Sequence, residues 1–252
     1  MTFEAIRLQT WYATPLGQET SRLLGDAMAG WLGERKVERT FGFGYTQPYL
    51  DRMQYWTEGL VGASPAEMGV APWPRFGENR IALVRPDTLP FADESFDRVV
   101  MIHLLEGSHS AKVTLRESWR ILRPGGRLLV VTPNRGGFWA RRDVTPFGWG
   151  RPFSPRQLQE LLQGGFFLLR QSRYALFLPP LSGERWIKAA SAWERAGERW
   201  FAPLGGVILC EAEKVVYATT PLTSSSSALG RRSMPMTVTE NRAGNRIKRS
   251  KH

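Results

Sequence analysis

The fold is decided by LPFADESFDRVVMIHLL at 89–105 and LRESWRILRPGGRLLVVTPN at 115–134. Each stretch contains a run of four apolar residues, VVMI in the first and LLVV in the second. Runs that are apolar on both faces are typical of the central strands of a parallel sheet, because both sides of those strands are buried. Between the runs, apolar residues at helical spacing predict a helix over 110–122, which the Pro-Gly-Gly sequence ends.

Strands and helices alternate along the rest of the chain. The spacing of apolar residues predicts helices over 15–32, 48–56, 154–162 and 184–200, and strands over 37–41, 60–63, 80–84, 166–169 and 207–217. This alternation is typical of an α/β domain with a mostly parallel sheet, right-handed crossovers and helices on both faces. Residues 1–218 are enough for one such domain with a sizeable core.

The last residues, 219–252, differ in composition from the rest. They contain seven basic residues, one acidic residue and no aromatic residue, and they begin with the Ser/Thr-rich sequence TTPLTSSSS. Such a segment buries too little apolar surface to offset its chain entropy, so we predict a disordered basic tail. Its end, 242–251, favours weak contact with nucleic acid or an anionic surface, and a solubilising extension is the other interpretation.

Composition excludes several classes of protein. No apolar run approaches the roughly 18 residues that a membrane-spanning helix needs. Cys210 is the single cysteine and the chain has three histidines, so an internal disulfide and a dedicated metal site are not expected. The first residues do not resemble a secretory signal, and we expect a cytoplasmic protein.

A glycine-containing turn follows the first predicted strand, in the sequence TFGFGYT at 40–46. Glycines let backbone amides approach a ligand closely, and ligands of open α/β sheets bind beyond the carboxyl ends of the strands. A tight turn without a ligand remains the other interpretation of this sequence.

The boxes LPF-x-D-x-SFD-x-VV and RE-x-x-R-x-LRPGG-x-L-x-V resemble those of class I S-adenosylmethionine-dependent methyltransferases. The resemblance covers 37–134 in register and is to the small-molecule type that includes ubiquinone-biosynthesis methyltransferases. It implies a Rossmann-like sheet of seven strands with a final antiparallel strand, S-adenosylmethionine as the cofactor and a small-molecule acceptor. The same boxes also hold the fold, so they identify architecture better than activity.

The resemblance also assigns residues to the cofactor, in a motif that is degenerate here. These are Gly42, Phe43, Gly44, Tyr45, Ala63, Ser64, Arg85, Asp87 and His103. Thr40 and Thr46 replace the family's acid and third glycine, and no acid stands at 63 or 64 for the ribose or at 85 for the adenine. A lost ribose carboxylate weakens binding by roughly ten- to a hundredfold.

Two further features have more than one interpretation. His103 follows the fourth strand, where it is either a general base or a histidine of the pocket wall. The loop at 134–153 mixes arginines with aromatic rings, which suits either a planar anionic substrate or a lid that does not contact substrate. The substrate candidates are Arg135, Trp139, Arg142 and Phe147.

Three tryptophans at 186, 193 and 200 recur every seven residues, which is typical of a core or interface stripe. For the whole chain we predict S-adenosylmethionine-dependent methylation of a small molecule. The alternative is a catalytically silent methyltransferase fold that serves as a binding or scaffold module. Modification of nucleic acid rests on charge alone and ranks below both.

Overall fold

The computed structural model describes residues 4–33, 36–74 and 76–216. The predicted basic tail at 219–252 and its contacts with nucleic acid or an anionic surface lie outside these residues. Within the described ranges, no helix is long and apolar enough to cross a membrane. In the same ranges, no group of three or more His, Cys, Asp or Glu residues is placed to hold a metal ion.

Seven strands form one sheet in the order β3-β2-β1-β4-β5-β7-β6. They are β1 Val37–Gly44, β2 Thr57–Pro65, β3 Ile81–Val84, β4 Phe96–Ile102, β5 Leu122–Pro133, β6 Phe167–Ala175 and β7 Val207–Lys214. Neighbouring strands from β3 to β5 are parallel, and β7 is antiparallel to both β5 and β6. The predicted Rossmann-like sheet with a final antiparallel strand is confirmed.

In the described part of the chain, α-helices precede β1 and lie in the connections that follow β1, β4, β5 and β6. They are α1 Ala5–Tyr12, α2 Pro15–Leu32, α3 Gln47–Met53, α4 Ala111–Ile121, α5 Pro155–Gly164, α6 Glu184–Lys188 and α7 Ala190–Trp200. The predicted helix over 184–200 is wrong in one respect, because it breaks at Ala189 into α6 and α7. The helix α1 is absent from the sequence prediction, since its short run has a weak apolar period.

Both faces of the sheet are buried, and β4 shows how. Val100 and Ile102 pack in one hydrophobic cluster, whereas Val99 and Met101 pack in the other. The first cluster includes α1, α2 and α3, and the second includes α4 and α5. Because successive side chains of a strand point to opposite faces, a strand between two clusters needs apolar residues throughout. This explains why the sequence contains runs that are apolar on both faces.

The order of the strands creates a crevice at one edge of the sheet. β1 lies between β2 and β4. After β1 the chain adds β2 and β3 on one side of it and then adds β4 on the other side. Ligands of such sheets bind at this reversal, outside the carboxyl ends of the strands. Gly44 and Ile102 pair there, at the ends of β1 and β4.

Candidate cofactor site

Gly44 joins the ends of three strands. Its φ of 94° is in the left-handed region, and a Cβ here would overlap the carbonyl oxygen of Ile102. The Tyr45 amide donates to that same carbonyl oxygen at 2.8 Å, and the Ser64 hydroxyl donates to the Gly44 carbonyl at 3.2 Å. The absence of a side chain at Gly44 therefore allows β1 to approach β4 closely, whether or not the glycine also contacts a ligand.

A cleft of about 440 Å³ lies beyond the carboxyl ends of β2 and β3 and beside the segment that follows β4. Its walls are Pro65, Ala66, Glu67, Met68, Val84, Arg85, Pro86, Asp87, Leu104, Gly107, Ser108, His109, Ser110, Val113 and Thr114. Small-molecule sites typically measure ~300–1,000 Å³, so the cleft is large enough for a nucleoside-sized ligand.

Arg85 and Asp87 form a two-pronged ion pair on the wall of this cleft. Arg85 Nη2 donates to Asp87 Oδ2 at 2.8 Å, and Nε donates to Oδ1 at 3.1 Å. The hydrogen bonds from Arg85 lower the pKa of the Asp87 carboxyl. The charge of Arg85 is therefore balanced by its neighbour, and the pair presents little net charge to the cleft.

The structure places Ala63 and Ser64 away from the cleft. Ala63 is buried in the cluster that contains α4 and α5, and the Ser64 hydroxyl is engaged by Gly44. Glu67, two residues beyond the end of β2, lines the cleft instead, and its carboxylate is exposed. The Nε2 atom of His109 lies 4.0 Å from the Glu67 Oε2 atom. The sequence interpretation missed Glu67, because β2 continues two residues further than predicted.

A buried polar network surrounds His103. His103 Nε2 lies 2.8 Å from the Tyr12 hydroxyl, which lies 3.0 Å from the Tyr49 hydroxyl. The Tyr12 ring stacks on Tyr45 at 5.6 Å between centroids. Burial raises the pKa of all three tyrosines, so these phenols are neutral at ordinary pH.

Glu106 completes this network from the segment after β4. Its Oε1 lies 3.3 Å from His103 Nδ1, yet neither carboxylate oxygen makes a well-aligned hydrogen bond to another described residue. The Glu106 backbone carbonyl accepts from the Arg151 amide at 2.9 Å, which ties the segment to the loop after β5. His103 itself has a φ of 53°, unusual for a residue with a side chain. Strained backbone beside a buried carboxylate is common at functional sites.

The four substrate candidates in the loop after β5 form two pairs, one buried and one exposed. Trp139 and Phe147 are buried, and the Trp139 indole donates to the Leu178 carbonyl at 2.7 Å. The Phe147 ring lies 4.9 Å from the His103 ring. Arg135 and Arg142 are exposed on the outside of the loop. The structure thus brings Phe147 to His103 and keeps both arginines at the surface.

Comparison with known proteins supports the resemblance to methyltransferases. Residues 41–130 match the family described as methyltransferase domain. Demethylmenaquinone methyltransferase of Renibacterium salmoninarum is 32% identical over 134 residues, which cover 49% of this chain and 51% of the relative. The resemblance to the class I S-adenosylmethionine-dependent methyltransferases is thereby confirmed.

Solved structures share the fold of this chain. A methyltransferase from Archaeoglobus fulgidus superposes with a TM-score of 0.54 at 13% identity, over 77% of this chain and 94% of the other. The [4+2]-cyclase SpnF superposes with a TM-score of 0.53 at 20% identity, over 78% and 82%. At these identities the likeness establishes the fold alone. The chain spans about half the length of the curated relative described above, and less of the other first matches.

The family and its fold imply S-adenosylmethionine as the cofactor. The cleft of the methyltransferase fits the adenosine part of this molecule in size. Glu67 and Asp87 provide carboxylates that accept hydrogen bonds from hydroxyl and amino groups, and Val84, Leu104 and Val113 provide apolar walls.

The part of the site next to the glycine turn is more enclosed than the cleft. Thr40 and Thr46, which replace the family's acid and third glycine, are buried, and their hydroxyls have no hydrogen-bond partner in the described part of the chain. The Tyr45 side chain is buried against Tyr12 of α1. At this end both threonine hydroxyls are therefore enclosed by the protein, and α1 covers Tyr45.

Proposed function

We propose that this methyltransferase transfers the methyl group of S-adenosylmethionine to a small molecule. The observation that carries the proposal is the cleft beyond the carboxyl ends of β2 and β3, which has Glu67 and Asp87 on its walls and the buried His103 network beside it. Fold alone does not fix a reaction, so the proposal rests on these side chains rather than on the sheet.

Each end of the cleft has its own part in holding the cofactor. Glu67 follows β2, and its exposed carboxylate accepts from ribose hydroxyls. Asp87 follows β3, and its carboxylate accepts from an amino group on the adenine side while Arg85 keeps it ionised.

When bound, the cofactor supplies a methyl group on a sulfonium centre. The protein has to place the acceptor in line with that group and to remove a proton where the acceptor carries one. His103 is the group for this proton, because its Nε2 faces a hydroxyl oxygen and its Nδ1 lies beside the Glu106 carboxylate. The Tyr12 hydroxyl occupies the hydrogen-bonding position at His103 Nε2. An acceptor therefore reaches His103 when Tyr12 moves aside.

The acceptor is a small molecule rather than a macromolecule on two grounds. His103 is buried against the rings of Tyr12 and Phe147, and Trp139 packs on Phe147, so the described residues leave the histidine inaccessible to a polymer. The relative from Renibacterium salmoninarum is named a demethylmenaquinone methyltransferase, and demethylmenaquinone is not a macromolecule. An aromatic ring with a hydroxyl group is the acceptor that would best replace the Tyr12 phenol.

Calorimetry with S-adenosylmethionine tests the cofactor site. We expect binding to the parent protein, and binding weaker by roughly tenfold in Glu67→Gln, because a charge-assisted hydrogen bond contributes about 1.5–3 kcal/mol. Glu160→Gln is the matched control, since Glu160 lies on α5 outside the cleft. Parent protein that binds neither S-adenosylmethionine nor its demethylated product would favour the silent fold. Equal binding in Glu67→Gln and the parent would remove Glu67 from the site.

A further inference from the structure

Exposed apolar side chains gather on one part of the surface. Seven of the sixteen exposed large apolar residues in the described ranges belong to two segments, 135–151 and 184–204. They are Phe138, Val144, Trp186, Trp193, Trp200, Phe201 and Leu204. We call this set the aromatic surface. Single exposed apolar residues are ordinary, whereas a gathered set marks an interaction site.

The two segments are joined to each other. The Asn134 side chain donates to the carbonyls of Pro203 and Gly205 at 2.9 and 2.7 Å. Gly137 packs so closely on the Gly205 backbone that a Cβ would overlap it. The loop after β5 and the segment before β7 therefore form one continuous part of the surface.

The three tryptophans continue that surface along α6 and α7. The rings of Trp186 and Trp193 lie 5.6 Å apart across the break between the helices. Trp200 follows Trp193 by seven residues on α7, which places the two on the same face of the helix. Trp200 is 70% exposed and Phe201 is 58% exposed, so the stripe is not core as one interpretation of the sequence had it.

The charges around the aromatic surface are mostly positive. Exposed basic residues in the two segments are Arg135, Arg141, Arg142, Arg151, Arg185, Lys188, Arg195 and Arg199. The acidic residues are Asp143, Glu184, Glu194 and Glu198. Glu194 faces inward, where it accepts from three consecutive backbone amides at 176–178.

The arginines of this surface include two that no described carboxylate holds. Arg22, Arg120 and Arg123 each bind two carboxylates. By contrast, Arg195 and Arg199 make no ion pair with any carboxylate in the described part of the chain. Unpaired guanidinium groups are well suited to phosphate groups outside the protein.

We infer that the aromatic surface docks on an anionic phospholipid bilayer. Tryptophan and phenylalanine rings lodge at the boundary between headgroups and acyl chains, and arginines beside them bind the lipid phosphates. A bilayer would bury the side chains of Val144 and Leu204 in its apolar layer. Nucleic-acid phosphates and bases offer no such apolar layer to exposed aliphatic groups. A second copy of the chain fits poorly, because two positive surfaces repel each other.

This surface lies at the edge of the sheet that holds the cofactor cleft. β5 ends at Pro133, directly opposite Val207 at the start of β7, and both residues border the two segments. Docking there would bring the same edge toward the membrane and allow an apolar acceptor to enter from the bilayer. The inference goes beyond the proposed methyl transfer, because lipid binding is measured without cofactor or acceptor.

Co-sedimentation of the full chain with vesicles tests the inference. The vesicles contain phosphatidylcholine alone or equal parts of phosphatidylcholine and phosphatidylglycerol. We expect the parent to bind the anionic vesicles, and binding to be weaker by about tenfold or more in the double variant Trp200→Ser, Phe201→Ser, which loses two apolar rings. The double variant Arg195→Gln, Arg199→Gln should also bind less tightly, and the loss should diminish at high salt.

Two matched controls separate this surface from the rest of the protein. Tyr55→Ser removes a ring that is 75% exposed at the opposite edge of the sheet, and Arg156→Gln removes an exposed arginine on α5. Both controls should bind like the parent. All variants keep the basic residues at 219–252, so binding carried by that segment alone would be equal throughout and would overturn the inference.

Three other results would also overturn it. The first is equal loss in Tyr55→Ser and in the Trp200, Phe201 variant. The second is binding to a single-stranded RNA that the aromatic variant loses while its vesicle binding stays that of the parent. The third is a stable dimer in sedimentation velocity that the aromatic variant converts to a monomer. A Trp200, Phe201 variant with the melting temperature of the parent shows that the comparison is between folded proteins.

Discussion

The Tyr12 hydroxyl lies 2.8 Å from His103 Nε2, so the last residue of α1 contacts the histidine that follows β4. The two residues are 91 positions apart, and both are buried. The same hydroxyl lies 3.0 Å from Tyr49 at the start of α3. One phenol thus connects α1 to the strand edge at which the cofactor cleft opens.

Tyr12→Phe removes this hydroxyl and keeps the ring that stacks on Tyr45. We expect the free energy of unfolding to fall by about 1–3 kcal/mol, because buried partners lose a hydrogen bond. Denaturant unfolding measures the change, and Tyr55→Phe, at an exposed position, should leave the free energy of unfolding unchanged. A Tyr12→Phe protein as stable as the parent would show that the hydrogen bond is not maintained in solution.

Gly44→Ala tests whether the glycine turn is needed for the fold. Gly69 is the matched control, since both glycines have positive φ but a Cβ at Gly69 meets nothing within 4 Å. We expect Gly69→Ala to cost about 1 kcal/mol through its backbone conformation alone. Gly44→Ala should cost several times more, because its Cβ overlaps the Ile102 carbonyl. Equal melting temperatures for the two variants would contradict the close approach of β1 to β4.

The motif residues that identify the family also hold two segments together. Glu117 accepts from the Leu89 amide at 2.9 Å and from the Arg120 guanidinium, and Arg120 also donates to the carbonyls of Leu89 and Phe91. The LPF box is thereby fixed to α4. This explains why the sequence predicted the architecture well, because both boxes encode contacts of the fold.

Glu117→Gln should therefore destabilise the protein in a pH-dependent way. Hydrogen bonds from Arg120 lower the pKa of the Glu117 carboxyl below its ordinary 4.5, so its stabilisation is present above pH 4.5 and lost as the pH falls through the lowered pKa. At pH 7 we expect a loss of about 1–3 kcal/mol, with parent and variant converging in acid. Glu160→Gln, which breaks an exposed pair on α5, should change little. A difference that is constant with pH would exclude the carboxylate as its cause.

Other parts of the site were beyond sequence reasoning. Tyr12 meets His103 only because α1 packs over the sheet edge, and no local pattern encodes a contact between elements so far apart. Glu67 lies on the cleft because β2 ends at Pro65, and strand ends are the least certain part of a prediction from periodicity. The exposure of Trp200 depends likewise on how α7 sits on the sheet, since seven-residue spacing suits a core and a surface equally.

Cys210 should be unreactive in the folded protein. It is buried on β7, and burial raises the pKa of its thiol to about 11, so the reactive thiolate is scarce at pH 8. We expect a colorimetric disulfide reagent to modify the native protein only as fast as the protein unfolds. The same protein in denaturant provides the control, with one thiol that reacts at once. Rapid native labelling would show that β7 opens locally.

Glu106→Gln separates stability from catalysis. The carboxylate is buried, lies 3.3 Å from His103 Nδ1 and makes no well-aligned hydrogen bond to another described residue. A buried charge without such bonds is costly, so the uncharged amide should raise the melting temperature. In the proposed mechanism the carboxylate holds the His103 ring as it takes up the proton, so the same change should lower kcat by at least about tenfold. Glu160→Gln should alter neither quantity. A less stable Glu106→Gln protein with unchanged kcat would identify the carboxylate as structural and remove Glu106 from the reaction.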